Sequence, residues 1–496
     1  MRSQGPLSFF LLALCIFLPG ESPAKTMKSK PNILFFFTDD QRFDTIHALG
    51  NDAIHTPNMD RLAERGTAFT HTHVMGGTSP AVCMPSRAML HTGRSLFGIE
   101  APGQVIDPNY KMLGEVLQEE GYRTFGLGKW HNQEQSFNRA FADGDEIYFG
   151  GMCDHWNVPA HRYDPTGRYD GQIPMSKDPM TSNEVIWRSA DHIQAGTHSS
   201  ELLADGAVRF LRDHESDDPF FLYLSFLAPH DPRTMPEKYR RMYDPEQIEL
   251  PPNFMGGHPF DNGALRIRDE KLEDWPRTPE AIREHIAEYY AMITHMDAEM
   301  GRVVEALEAR GELENTIIVF AGDNGLSLGQ HGLMGKQSLY EHSVRVPLVM
   351  AGPGIPSGGR SDALCYLYDI YPTLCELTGL PIPETVEGRS LVPAFDGSPV
   401  RERLMLAYCH QMRGVRDERF KLIETVVEGR RTTQLFDLKE DPWEIENLAG
   451  DPRHADRLGA LRSQLESFPA EHNDTGEQGR TFWDGYENAS IIRVAP

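Results

Sequence analysis

Residues 32–37 read Asn-Ile-Leu-Phe-Phe-Phe and run into Thr38-Asp39-Asp40. Consecutive apolar side chains cannot alternate between a wet and a dry face, so a strand of this kind is buried on both sides. That is the habit of an interior strand of a parallel sheet, whose carboxyl end opens where α/β folds place their ligands. The theme returns at 124–128, 220–226, 316–321 and 346–350, with helix-length stretches between, such as 112–120 and 200–212. Strands alternating with helices predict an α/β domain with a large, mostly parallel sheet flanked by helices. The longest helix candidate sets Ile282, Ile286, Tyr289, Ile293, Met296, Met300, Val303 and Leu307 at spacings of four and three, a core stripe that should lie against the sheet.

Composition shifts after residues 369–383, and Asp396-Gly397-Ser398-Pro399 reads as a linker. Beyond it, short strand signals at 404–407, 420–423 and 434–436 precede a helix signal at 455–465, predicting a smaller α+β subdomain with an antiparallel sheet. At the other end, Arg2, an apolar stretch at 7–18 and Ser22-Pro23-Ala24 have the order of a secretory signal. The stretch is too short to span a bilayer. The expected organisation is a signal peptide at 1–24, a catalytic domain at 25–395 and a C-terminal subdomain at 396–496. The mature protein is expected to be secreted or periplasmic, without stable membrane insertion.

With 48 Lys+Arg against 73 Asp+Glu, the net charge of −25 argues against nucleic acid as a partner. An anionic substrate must then be drawn in by a local basic pocket. Cys153, Cys365, Cys375 and Cys409 show no zinc-type spacing. Cys365 and Cys375 are expected on one helix, roughly 15 Å apart and too far to bridge.

Adjacent carboxylates at a strand end repel unless a cation sits between them, so Asp39 and Asp40 are candidate ligands for a hard divalent ion. Asp323-Asn324-Gly325 closes another strand in the same way. Cys83-Met84-Pro85-Ser86-Arg87, continued by Thr92-Gly93-Arg94, opens a helix whose N-terminus favours an anion beside residue 83. This run resembles the signature of the formylglycine-dependent sulfatases, in the alkaline-phosphatase-like superfamily. In that family the Cys-x-Pro-Ser-Arg tag is read by a maturation enzyme that oxidises the cysteine to an aldehyde. His91 stands where the family usually carries Leu, a flanking departure.

The resemblance extends over roughly residues 30–450, and it implies a set of roles. Asp39, Asp40, Asp323 and Asn324, with residue 83, would hold one calcium ion, in keeping with an oxygen-only ligand set. Gly128-Lys129-Trp130-His131 matches the family's Gly-Lys-Trp-His element, so Lys129 and His131 would face the nucleophile. His230, in Pro229-His230-Asp231-Pro232-Arg233, and Lys336 would bind sulfate, with Arg87 supporting the aldehyde hydrate. The general acid is left between His230 and Lys336. His155, Asp231 and Arg233 are candidates for the substrate rim.

The implied activity is hydrolysis of a sulfate ester on a carbohydrate, derived from a polysaccharide. A hydrated aldehyde offers one hydroxyl as nucleophile and a second whose deprotonation releases sulfate, which serine cannot do by elimination. Two alternatives stand beside it: a phosphatase or phosphonate monoester hydrolase of the same superfamily, and a secreted protein that binds sulfated glycans without turnover.

Overall fold

The computed structural model describes residue 1 and residues 30–492. The expected signal sequence therefore lies outside the described residues. Among those described, no helix is long and apolar enough to cross a membrane.

The run after Pro31 forms the middle of the main sheet. This sheet comprises β1 (Asn32–Thr38), β2 (Gly66–Phe69), β3 (Arg123–Lys129), β4 (Asp143–Tyr148), β5 (Phe220–Ser225), β6 (Thr316–Gly322), β7 (Leu348–Ala351) and β8 (Gly359–Ser361). Their spatial order is β8-β2-β7-β6-β1-β5-β3-β4. β1 pairs in parallel with β5 and β6, and β5–β3–β4 continue in parallel. β7 runs antiparallel to both β6 and β2.

Both faces of β1 are dry, as its sequence requires. Ile33, Phe35 and Phe37 enter one core cluster and Leu34 and Phe36 the other. Helix α1 (Cys83–Thr92) covers the first face, while α2 (Ser199–Asp213) and α3 (Pro279–Ala309) cover the second. The predicted stripe of α3 is buried along its whole length, from Ile282 to Leu307.

Two expectations change. The run at 346–350 is not one strand: Arg345–Val346 pairs with Thr72–His73 in a separate small sheet, and Pro347, which has no N–H to donate, separates it from β7. Cys365 and Cys375 do not share a helix. Cys365 lies in the Cys365–Tyr366 strand, and Asp369, which accepts the Tyr366 N–H at 2.8 Å, starts the turn that leads into the Ile370–Thr378 helix carrying Cys375.

The antiparallel sheet expected near the C-terminus is present and larger than its sequence signals. It contains β9 (Leu404–Tyr408), β10 (Met412–Arg416), β11 (Phe420–Val427), β12 (Arg430–Asp437) and β13 (Ser490–Ile492). Gly76–Gly77 pairs in parallel with β9, so a segment just ahead of α1 joins this second sheet. The segment that leads into α1 is thus tied to the second sheet.

Candidate active site

The carboxyl ends of β1, β6 and β3 deliver Asp39-Asp40, Asp323-Asn324 and Lys129 to one point, and the N-terminus of α1 brings Cys83. All ten residues of α1 are buried. Gly93 ends this helix in the left-handed conformation, with φ of 65°, and its N–H bonds to the Met89 carbonyl. Arg94 then anchors the exit on the Gly98 carbonyl at 2.6 Å. The Thr-Gly-Arg portion of the motif is therefore the stop signal of the helix that presents Cys83. At Gly325 the demand is space: a Cβ there would lie 2.0 Å from the His342 carbonyl oxygen.

Cys83 Sγ is 3.4 Å from His131 Nδ1, 3.6 Å from Lys129 Nζ and 4.0 Å from Lys336 Nζ. Burial pushes the thiol pKa up in spite of Lys129 and Lys336. An unmodified Cys83 is thus a neutral thiol, a poor nucleophile despite its cationic neighbours. Burial, reinforced by Lys129, holds the His131 pKa well below its ordinary value, so its ring is neutral and able to take a proton.

Three carboxylates pack around these cations. Asp39 Oδ2 accepts from Lys129 Nζ at 2.5 Å, and Asp40 Oδ1 accepts from Lys336 Nζ at 2.5 Å and Asn324 Nδ2 at 2.7 Å. Asp323 Oδ1 receives the Asp40 N–H at 3.0 Å, and its Oδ2 receives Arg87 Nε at 3.0 Å. Asp40 and His131 hold positive φ angles of 65° and 68°. Such a conformation is uncommon for residues other than glycine and is found at sites whose surroundings impose it.

Burial opposes ionisation of Asp39, but Lys129, His230, Arg87 and Lys336 together hold it below the usual carboxylate range. Burial and the Asp39 charge push Asp323 up to about 7. With protein groups alone, Asp39 and Asp323 cannot both ionise freely. Asp39 Oδ1 and Asn324 Oδ1 are also buried without a hydrogen-bond partner. Orphaned oxygen acceptors beside crowded carboxylates fit a hard divalent cation.

His230 turns Nε2 toward Asp40 Oδ2 at 3.6 Å and donates from Nδ1 to the Asp231 carbonyl at 2.8 Å. Arg87 is fully buried and donates to the Lys129 carbonyl at 2.8 Å and Ser225 Oγ at 2.7 Å. It locks Lys129 and Asp323 into position and makes no bond to Cys83.

The three rim candidates divide. His155 is 1% exposed, with Nε2 bonded to the His230 carbonyl at 2.9 Å and Nδ1 paired with Ser199 Oγ at 2.7 Å. It stands behind His230 and not on a rim. Asp231 is neutralised by a two-pronged pair with Arg268. Arg233 bonds His285 through Nη1, while its Nε and Nη2 are buried without a hydrogen-bond partner. Of the three, it is the one with donors to spare.

Ser225, Arg268 and Tyr289 support the site without having been marked in the sequence, and Ser86, marked only as part of the motif, donates to the Asp323 carbonyl at 2.5 Å. Tyr289 reads as a core-stripe residue, yet its hydroxyl donates to the Asp40 carbonyl at 2.6 Å and accepts the Arg42 N–H at 2.9 Å. Tyr in an otherwise aliphatic stripe facing the carboxyl end of β1 is the signal that marks it, since a buried hydroxyl seeks a partner.

The sulfatase family model matches residues 31–380, and the model of the C-terminal part of N-sulphoglucosamine sulphohydrolase matches 329–471. An N-acetylglucosamine-6-O-sulfatase of Bacteroides thetaiotaomicron is 25% identical to this chain, covering 95% of it and 90% of the relative. A structure solved in complex with its substrate D-glucosamine-2-N,6-O-disulfate shares the fold, with a TM-score of 0.71 and 22% identity, covering 91% of this chain and 99% of that one. A phosphonate monoester hydrolase of Agrobacterium radiobacter does so at 0.69 and 24%, covering 89% and 96%. The match over residues 31–380, which contain most of the main sheet and the cluster of Cys83, two lysines and three carboxylates beyond its strand ends, settles the family: the chain belongs to the sulfatases and is a sulfuric ester hydrolase.

Proposed function

We propose that this enzyme removes sulfate from a sulfated carbohydrate, using an aldehyde hydrate formed at residue 83 and one calcium ion. The observation that carries the reading is the packing of Lys129, His131 and Lys336 within 4.0 Å of a neutral, buried Cys83 thiol. Such a thiol is unsuited to attack as it stands, yet everything around it suits a nucleophile that transfers an anionic group.

A calcium ion held by Asp39, Asp40, Asp323, Asn324 and residue 83 would supply Lewis-acid polarisation at the transferring group. The hydrate at residue 83 would provide the attacking hydroxyl and, through its second hydroxyl, the route by which sulfate leaves. Lys129 and Lys336 hold the sulfuryl oxygens against the negative field of the chain, and His230 completes that cradle. His131, neutral and beside residue 83, accepts the proton lost from the second hydroxyl. The departing sugar oxygen takes its proton from His230 or Lys336. Arg87 holds Asp323 and the Lys129 backbone in place.

The carbohydrate substrate rests on the N-acetylglucosamine-6-O-sulfatase relative. A sequence ordered as a secretory signal at 1–24 supports export to a compartment where polysaccharide is met.

The test is co-expression with a formylglycine-generating enzyme, followed by mass analysis of the peptide that contains residue 83. It should be about 18 Da lighter than the cysteine form, and only that form should hydrolyse sulfated saccharides. Full activity from the unmodified thiol, or preference for a phosphonate monoester over every sulfate ester, would overturn the proposal.

A further inference from the structure

A second group of metal-type ligands lies on the helical layer away from Cys83, where α2 packs against α3. His295 and Glu299 are four residues apart on α3, and so share one face of the helix. Glu201 comes from the first turn of α2. The ligand atoms of the three residues lie within 4.8 Å of one another. His295 Nε2 is 3.4 Å from Glu201 Oε1 and 3.9 Å from Glu299 Oε1.

The His295 ring is completely buried, yet neither of its nitrogens makes a hydrogen bond. Burial without a partner is costly for a polar ring and rare in native cores. The neighbours explain its confinement but do not satisfy it: the ring stacks on Tyr239 at 4.7 Å and lies 4.6 Å from His198. Burial, and then Lys238, lower its pKa to about 3, which leaves it neutral with a lone pair to give. Glu299 uses Oε2 on Arg302, leaving Oε1 directed at His295. The Glu201 side chain is 35% exposed, which gives an ion a way in and room for water as a further ligand.

We propose that Glu201, His295 and Glu299 form a second divalent-cation site that takes zinc and clasps α2 to α3. Zinc bonds of about 2.0–2.1 Å in tetrahedral array set ligand atoms roughly 3.3–3.5 Å apart. The 3.4 Å separation already meets this, and the 3.9 Å one needs only a small turn of a Glu side chain. An imidazole with two carboxylates suits zinc, whereas calcium seeks six or more oxygens. The site also backs onto the catalytic centre. His198 stacks on His155 at 5.2 Å, and His155 bonds the His230 carbonyl. A clasp at His295 therefore stiffens the wall on which His230 rests.

The experiment uses the full-length, calcium-loaded enzyme, freed of trace transition metals and dialysed against zinc with calcium kept in excess. The expected result is one zinc per chain, bound equally by wild type and by Asp323→Ala, with the melting temperature raised in both. Glu201→Gln, a change at a partly exposed side chain, should weaken zinc binding at least tenfold and abolish the rise. Cobalt in place of zinc should give wild type the strong visible absorption of a four-coordinate site, a readout that needs no variant. Zinc lost from Asp323→Ala but kept by Glu201→Gln would assign the ion to the catalytic centre and overturn the proposal. Absence of zinc and cobalt binding in wild type would do the same.

Discussion

Two clusters of buried charge lie within this molecule, and their difference separates a site from a strut. At the catalytic centre Asp39, Asp40 and Asp323 meet Lys129, Lys336 and Arg87. Between the sheets, Glu341 and Glu444 meet Lys421, Arg416, Arg345 and His73. Both are largely desolvated, and both contain a carboxylate pushed up to about 7 by burial, Asp323 in one and Glu444 in the other. The first cluster leaves oxygen acceptors without a hydrogen bond, on Asp39 and Asn324, next to Cys83, the residue proposed to carry the chemistry. The other has more cations than carboxylates: its Glu444 Oε1 lies 2.6 Å from Lys421 Nζ, and Arg416 keeps guanidinium nitrogens without a hydrogen bond. It joins the Thr72–His73 strand and the segment after β6 to β10 and β11 of the C-terminal sheet. Burial of charge is common to the two; only the first also groups ligand atoms closely enough to hold a metal ion, among the described residues.

Exchanging a carboxylate in each cluster should produce opposite losses. Asp323→Asn is expected to lower kcat on a sulfate ester more than about a thousandfold, since it weakens the proposed calcium site, while the protein stays folded by circular dichroism. Glu341→Gln should instead cost about 3–5 kcal/mol of stability, because Lys421 and Arg416 are left buried without it. Its turnover per folded molecule should stay near wild type. Equal loss of activity in both variants would erase the distinction. Chelation sharpens the same contrast: activity should vanish on exhaustive removal of calcium and return on its addition. Zinc as the ion that restores turnover would show the oxygen-donor reading to be wrong.

The catalytic cluster was legible in the sequence because its members arrive in short runs at strand ends, such as Asp39-Asp40 and Asp323-Asn324. A strand carries its end residues to a predictable edge, so local pattern becomes position. The strut was not legible. His73, Glu341, Arg416, Lys421 and Glu444 stand singly in the sequence and meet through tertiary packing alone. The second sheet was read only in part for a related reason: Gly76–Gly77 and Ser490–Ile492 join it from far along the chain. His155 shows the reverse error, since a polar residue in a long insert suggests a wet rim, whereas it is held in the dark by Ser199 and the His230 carbonyl.

That relocation changes what two substitutions should do. Arg233→Ala removes a half-buried cation proposed to face the sugar, and kcat/KM should fall roughly 10- to 100-fold on a sulfated oligosaccharide but little on a small aryl sulfate. His155→Ala acts through His230, so both substrates should lose about equally. A selective loss on the oligosaccharide for His155→Ala would return that residue to the rim.

The smallest effect concerns pH and the strut. Burial lowers His73 to about 4, so an unfolded chain takes up its proton first, and this residue costs stability as pH falls from 6.5 toward 4. Burial raises Glu444 to about 7, so the folded chain holds the proton more tightly, and this residue costs stability as pH rises from 4.5 toward 7. The two slopes have opposite signs over nearly the same interval and offset each other in the wild type. Glu444→Gln should therefore expose the His73 slope, with stability relative to wild type increasing between pH 4.5 and 6.5. His73→Gln should expose the Glu444 slope, with relative stability decreasing over that range. Each change should amount to about 1–2 kcal/mol once the coupling of neighbouring charges is allowed for. Denaturant midpoints measured at several pH values give the answer, and parallel curves for wild type and both variants would mean that the strut does not titrate in this range.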